Sequence, residues 1–141
     1  MHKATICLLM LLCSIAVSAQ KQPQWKVVQA IAVTNQTAPI QETTLFTPIY
    51  GGVYRLSVYM SGGAGKPGAS WDLSVAWYDL TGASSDFGEL QVSTGGANWT
   101  QHAPSMLSIM PGTPLLYSVQ PDGNTSGSYY NLAITLEKLE Q

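Results

Sequence analysis

The segment Tyr50-Gly51-Gly52-Val53-Tyr54-Arg55-Leu56-Ser57-Val58-Tyr59-Met60 decides the fold class. Tyr54, Leu56, Val58 and Met60 fall on one side of a period-two pattern, and Val53, Arg55, Ser57 and Tyr59 fall on the other. Side chains that alternate in this way belong to a strand with one buried face and one wetter face.

The same alternation recurs in both directions along the chain. Residues 71–78 place Trp71, Leu73, Val75 and Trp77 on one side and Asp72, Ser74, Ala76 and Tyr78 on the other. Residues 129–139 place Tyr130, Leu132, Ile134 and Leu136 together. Shorter strands are expected at 25–33, 43–46, 89–93, 106–110 and 115–120. The connections are rich in Gly and Pro: 61–70 carries four glycines and Pro67, and 121–128 is built on Asp122-Gly123-Asn124. Residues 79–88 and 94–105 are also expected to be irregular. No segment has a helical period. Eight short strands with such turns predict an all-β protein, an antiparallel β-sandwich of jelly-roll type. An outer-membrane barrel is disfavoured because several strands fall short of the roughly 9–11 residues a tilted span requires.

The N-terminus has a different grammar. Met1-His2-Lys3 is a short basic start, 6–17 is an apolar run, and Val17-Ser18-Ala19 supplies the small residues of a cleavage site. We therefore expect residues 1–19 to be a signal peptide, 20–24 a polar lead-in, and 25–141 a single domain. The apolar run is shorter than the roughly 20 residues of a membrane-spanning helix. Cys13 follows Leu12 where a lipoprotein signal needs a small residue. Both cysteines, Cys7 and Cys13, lie within this peptide, so the exported chain has no disulfide, thiolate–metal or cysteine nucleophile chemistry. About 120 residues can bury a core without such staples. The expected location is secreted or periplasmic, with no membrane span after cleavage.

Charge excludes further classes. Only 10% of residues are charged, and the bases after the signal peptide (Lys21, Lys26, Arg55, Lys66 and Lys138) are scattered. A nucleic-acid surface needs several of them side by side. The run Gly62-Gly63-Ala64-Gly65-Lys66-Pro67-Gly68 lacks the Lys-Ser/Thr ending and following helix of a phosphate-binding loop. His102 is the only histidine beyond the signal peptide, so a histidine metal cluster is excluded by number. Asp79, Asp86 and Glu89 do not have calcium-loop spacing. No Gly-x-Ser-x-Gly element marks a nucleophile, which leaves Asp72 and His102 as the only candidates for a small hydrolase. The expectation is a protein that is no enzyme and uses no cofactor or metal.

Binding residues are easier to nominate. Trp99, flanked by Asn98 and close to His102, sits in a Gly/Asn-rich stretch where an indole can stack on a sugar. Arg55, Tyr59, Tyr78 and Tyr129 fall on the wetter sides of their strands beside small residues, and together would make a self-association face. The partner is then a protein, including a second copy, or a glycan. Asn35, Asn98 and Asn124 each begin an Asn-x-Ser/Thr sequence and are expected in loops.

Leu45-Phe46-Thr47-Pro48, followed by Gly52-Val53-Tyr54-Arg55-Leu56-Ser57-Val58 and closed by Tyr129-Tyr130-Asn131-Leu132, resembles the jelly rolls of the complement-globular-head and tumour-necrosis-factor-like families. The resemblance implies a homotrimer that recognises a ligand.

Overall fold

A computed structural model describes residues 22–140, with the side chains of residues 87–89 and of His102 outside the description. The expected signal peptide lies outside the described residues. Eight strands follow one another: β1 (Gln24–Gln36), β2 (Ile40–Phe46), β3 (Gly52–Ala64), β4 (Ser70–Tyr78), β5 (Ser84–Ser93), β6 (Asn98–Ile109), β7 (Leu115–Asp122) and β8 (Ser128–Glu140). They form two antiparallel four-stranded sheets, β1-β8-β3-β6 (sheet A) and β2-β7-β4-β5 (sheet B). That order, in which every connection except β4–β5 passes from one sheet to the other, is the jelly-roll topology. Among the described residues no helix is long and apolar enough to cross a membrane.

The alternation predicted for β3 is the one observed. Tyr54, Leu56, Val58 and Met60 are buried, and they pair across the strands with Leu136, Ile134 and Leu132 of β8 in the same sheet. From the opposite sheet Trp71, Leu73, Val75, Leu90, Val92, Leu115 and Val119 complete the core, with Trp77 half-buried at its rim. Trp71 joins the layers: its ring centroid lies 4.8 Å from that of Tyr130, and its indole N–H donates to Ser128 Oγ at 3.0 Å. Tyr130 in turn donates its hydroxyl to the Ala38 carbonyl at 3.0 Å. Burial pushes the Tyr130 phenol up to about 12, with a smaller contribution from Tyr117.

Three expectations are corrected. Residues 94–105 are not one irregular stretch, because β6 begins at Asn98. Pro104 hides it in the sequence. The residue is tolerated because β6 is an edge strand and a bulge lies there, between the pairs Leu56–Ser105 and Val58–His102. Residues 84–88 belong to β5 rather than to a turn, their polar residues forming the outer edge of sheet B. Finally, β3 runs on to Ala64 through Gly62 and Gly63. A Cβ at Gly62 would stand 3.0 Å from the Tyr129 carbonyl, so the close approach of β8 requires the glycine.

Candidate assembly surface

Alternation determines which side chains a strand turns outward, and the sheet order determines which of them meet. On sheet A the outward rows follow from the register. Val27, Glu137, Arg55 and Met106 lie in one row across β1, β8, β3 and β6. The next rows are Ala30, Thr135 and Ser57, then Ala32, Ala133, Tyr59 and Gln101. Beyond them come Asn131, Ser61 and Trp99, and last Tyr129 beside Gly63. Trp99 is 69% exposed, Met106 60% and Tyr59 42%. This is a flat face of aromatic, aliphatic and small polar side chains.

Its charged groups, among the described residues, are Arg55 and Glu137. They bond each other, Arg55 Nε donating to Glu137 Oε2 at 2.6 Å, and the guanidinium lies 4.7 Å from the centroid of the Trp25 ring. The hydrogen bond from Arg55 holds the Glu137 carboxyl below the ordinary carboxylate range, against some desolvation, and the same bond raises Arg55. Both groups are therefore fixed flat on the face and sum to zero charge. Two polar links stiffen the other end: Asn131 Nδ2 donates to Ser61 Oγ at 3.1 Å, and the Asn35 amide donates to Asn131 Oδ1 at 2.8 Å. The latter holds Asn35 in a left-handed conformation, φ 53°. Tyr129 lies against Gly63, where a Cβ would come within 2.8 Å of the Tyr129 hydroxyl.

The outer side of sheet B is different. Asp72, Gln91 and Gln120 share one row there, Ser74 and Ser118 another, and Ala76, Asp86 and Leu116 a third. Ser70 Oγ bonds Asp72 and accepts from Gln91, both at 2.8 Å, so Asp72 is a member of a surface polar network. A shallow cleft of about 260 Å³ beside it is lined in part by Glu42, Trp77 and Tyr78.

The nominated residues are thus regrouped. Arg55, Tyr59 and Tyr129 share sheet A's outer face, whereas Tyr78 lies at the end of β4 in the other sheet and belongs to a different surface. Trp99 joins Tyr59, its diagonal neighbour across β3 and β6, rather than forming a loop site. Asn98 stands opposite Gly62, on the other side of β6, with its amide donating to the Ser93 carbonyl at 3.0 Å. His102 is in register with Val58, and its side chain lies outside the described residues. The acceptor asparagines are also corrected: Asn35 and Asn98 are in strands, and Asn124 alone is in a turn. Asp79 is used by its own turn, accepting from the Thr81 hydroxyl and amide and the Ala83 amide, which lower its pKa. Among the described residues no three His, Cys, Asp or Glu gather to hold a metal. Trp25, Met106 and Glu137 were not nominated from sequence; the alternation of β1 and β8 contains the signal, but only register brings them to Arg55.

No family model matches the chain, and no curated protein matches it in sequence. Among solved structures, a chain of infectious bursal disease virus, Gx strain, is similar over 82% of this chain and 32% of its own, at 10% identity and a TM-score of 0.44. The VP2 subviral particle of the same virus matches over 84% and 33%, at 9% identity and a TM-score of 0.40. A subunit of Bacillus endospore appendages, described as disulfide-linked pili, matches over 84% and 92%, at 13% identity and a TM-score of 0.37. The chain spans about a third of the length of the viral chains. The jelly roll itself rests on the strand order given above.

Proposed function

We propose that this is an exported, non-enzymatic β-sandwich that assembles with copies of itself through the outer face of sheet A. The observation that carries the reading is the contrast between the two outer faces. Sheet A presents Trp99, Tyr59, Met106 and Val27 around one internally neutralised ion pair, while sheet B presents carboxylates and hydroxyls. Exposed aromatic and Met side chains with little net charge are what interface cores are enriched in. A second copy suits the face because its two charges are opposite and adjacent. A two-fold rotation lays each Arg55 near the other copy's Glu137, with no like charges opposed.

Four strands 4.8 Å apart and roughly 10 residues long give about 600 Å² per partner. The total of about 1,200 Å² is at the lower end of stable interfaces. Removal of residues 1–19 and a secreted or periplasmic location complete the reading; the mass of the exported chain tests them, Gln20 being the expected first residue.

Light scattering across a concentration series tests the assembly. Tyr59→Glu combined with Met106→Glu should leave a folded monomer, while Ser74→Lys on sheet B should assemble as the parent does. A parent that stays monomeric to about 1 mM overturns the reading, since the corresponding affinity of roughly −4 kcal/mol is negligible. The homotrimer implied by the family resemblance is the competing stoichiometry, distinguished by three rather than two protomer masses.

A second reading is favoured by one feature. Trp99 and Tyr59 lie flat beside Gln101, Ser61 and Asn131, an arrangement that can stack and hydrogen-bond a glycan chain. Polysaccharide binding lost in Trp99→Ala, by a protein that stays monomeric, would replace assembly with that function.

A further inference from the structure

The sheet edges carry a signal separate from the face. A strand at a sheet edge exposes unpaired N–H and C=O groups, and soluble proteins usually break such edges with Pro, Gly, charge or short length. Three of the four edges here follow that rule. β6 contains Pro104, β5 contains Asp86, Gly88 and Glu89, and β2 is seven residues long with Glu42 in it. β1 does not. It runs for 13 residues with no Pro, Gly or acid, and its one charge, Lys26, lies near its start. Bulges at Val27/Gln29 and Val33/Gln36 leave 29–33 regular between them. Ile31 and Val33 pack against the core and remain only half-buried along this edge.

We propose that β1 pairs antiparallel with β1 of a second copy, about a two-fold axis through Ile31. In that register Ala30 meets Ala32, Gln29 meets Val33 and Lys26 meets Gln36, so no like charges are opposed and each pair lies on a single face. The partner strand covers the half-buried Ile31 and Val33 and satisfies the free backbone groups of 29–33. A second copy is the occupant because this register is self-complementary in charge and in parity, and two copies close the contact. The product is an eight-stranded sheet whose outer face is twice as wide. The contact stands apart from the face of the preceding section. If both operate, each protomer has two self-contacts and assembly is open-ended rather than limited to a pair.

Residue-resolved amide hydrogen exchange on the protein reads this edge directly. In the paired state all amides of 29–33 exchange slowly. In the dilute monomer the alternate ones, which β8 does not reach, exchange at least about tenfold faster. Tyr59→Glu/Met106→Glu should keep the concentration-dependent protection of β1, which separates the edge from the face. Ile31→Lys, which puts two ammonium groups on the axis, should abolish it. Alternate amides that stay unprotected at every concentration, or protection that survives Ile31→Lys in a folded protein, overturn the proposal. The measurement on the parent decides the matter even if that variant fails to fold.

Discussion

Ser128→Ala isolates one buried polar contact between the two sheets. Ser128 is 2% exposed and Trp71 1% exposed. The serine hydroxyl accepts from the Trp71 indole at 3.0 Å and donates to the Thr125 carbonyl at 2.5 Å. Removing it does not strand that carbonyl, which also accepts from the Ser128 amide at 3.0 Å. The orphan is the indole N–H, surrounded by core. Leaving a buried donor unpaired is worth about 1–3 kcal/mol. For a domain of this size roughly 3–6 °C of midpoint follows from each kcal/mol. The expected shift is therefore a fall of several degrees at minimum, read by urea and thermal unfolding. In Trp71→Phe the donor is absent, so adding Ser128→Ala to that background should cost much less than it does in the parent. The difference is a coupling energy of about 1 kcal/mol or more. Equal effects of Ser128→Ala in the two backgrounds would show that the indole bond is not what the serine supplies.

Other perturbations reach other parts of the structure. Leu73→Ala, at a fully buried position between the sheets, should destabilise by about 2–5 kcal/mol in chemical denaturation. The Glu137 carboxyl sits below its ordinary value, so its contribution is complete above the unfolded value near about 4.3 and is lost as pH falls through the folded one. Glu137→Gln should therefore flatten that acid limb of the stability profile. Tyr130 has the opposite sign: raised to about 12, it favours the fold fully below its unfolded value and loses that contribution as pH rises from there through about 12. Tyr130→Phe should remove this alkaline loss while lowering neutral stability by about 1 kcal/mol, the Ala38 bond being gone. Trp99→Ala should change monomer stability by less than about 0.5 kcal/mol, its side chain being largely exposed. It should nonetheless weaken association by tenfold or more, the effect of a modest interface anchor.

The parts of the fold legible in sequence are the strands with unlike faces. β3, β4 and β8 lie inside their sheets, so one side is wholly buried and period two stands out. β6 was half legible because its first residues, Asn98 to Ser105, lie at an edge where burial is incomplete, and Pro104 interrupts the pattern at a bulge. β5 was half legible for a related reason: Ser84, Ser85 and Asp86 pair with the outer end of β4 and carry no apolar alternation. Local pattern weakens wherever only one neighbour strand and part of a core enforce it.

The surface was harder, and the reason is topological. Alternation says that Arg55, Tyr59, Tyr78 and Tyr129 turn away from the core, but it does not say from which sheet. Two outward residues share a surface only if their strands share a sheet, and that depends on long-range pairing. β3 with β8 and β6 unites Arg55, Tyr59, Tyr129 and Trp99; β4 with β5 and β7 carries Tyr78 to the opposite side. The same partition explains how so few charges yield two unlike faces. Asp72 and Asp86 fall on sheet B with no base in their rows, while Arg55 meets Glu137 because β3 and β8 are neighbours in register. Had the register slipped by one residue, Arg55 would oppose Leu136 or Lys138, and the face would carry an unpaired charge at its centre. The neutrality that suits sheet A for a second copy is therefore a consequence of the strand register, beyond what composition alone dictates.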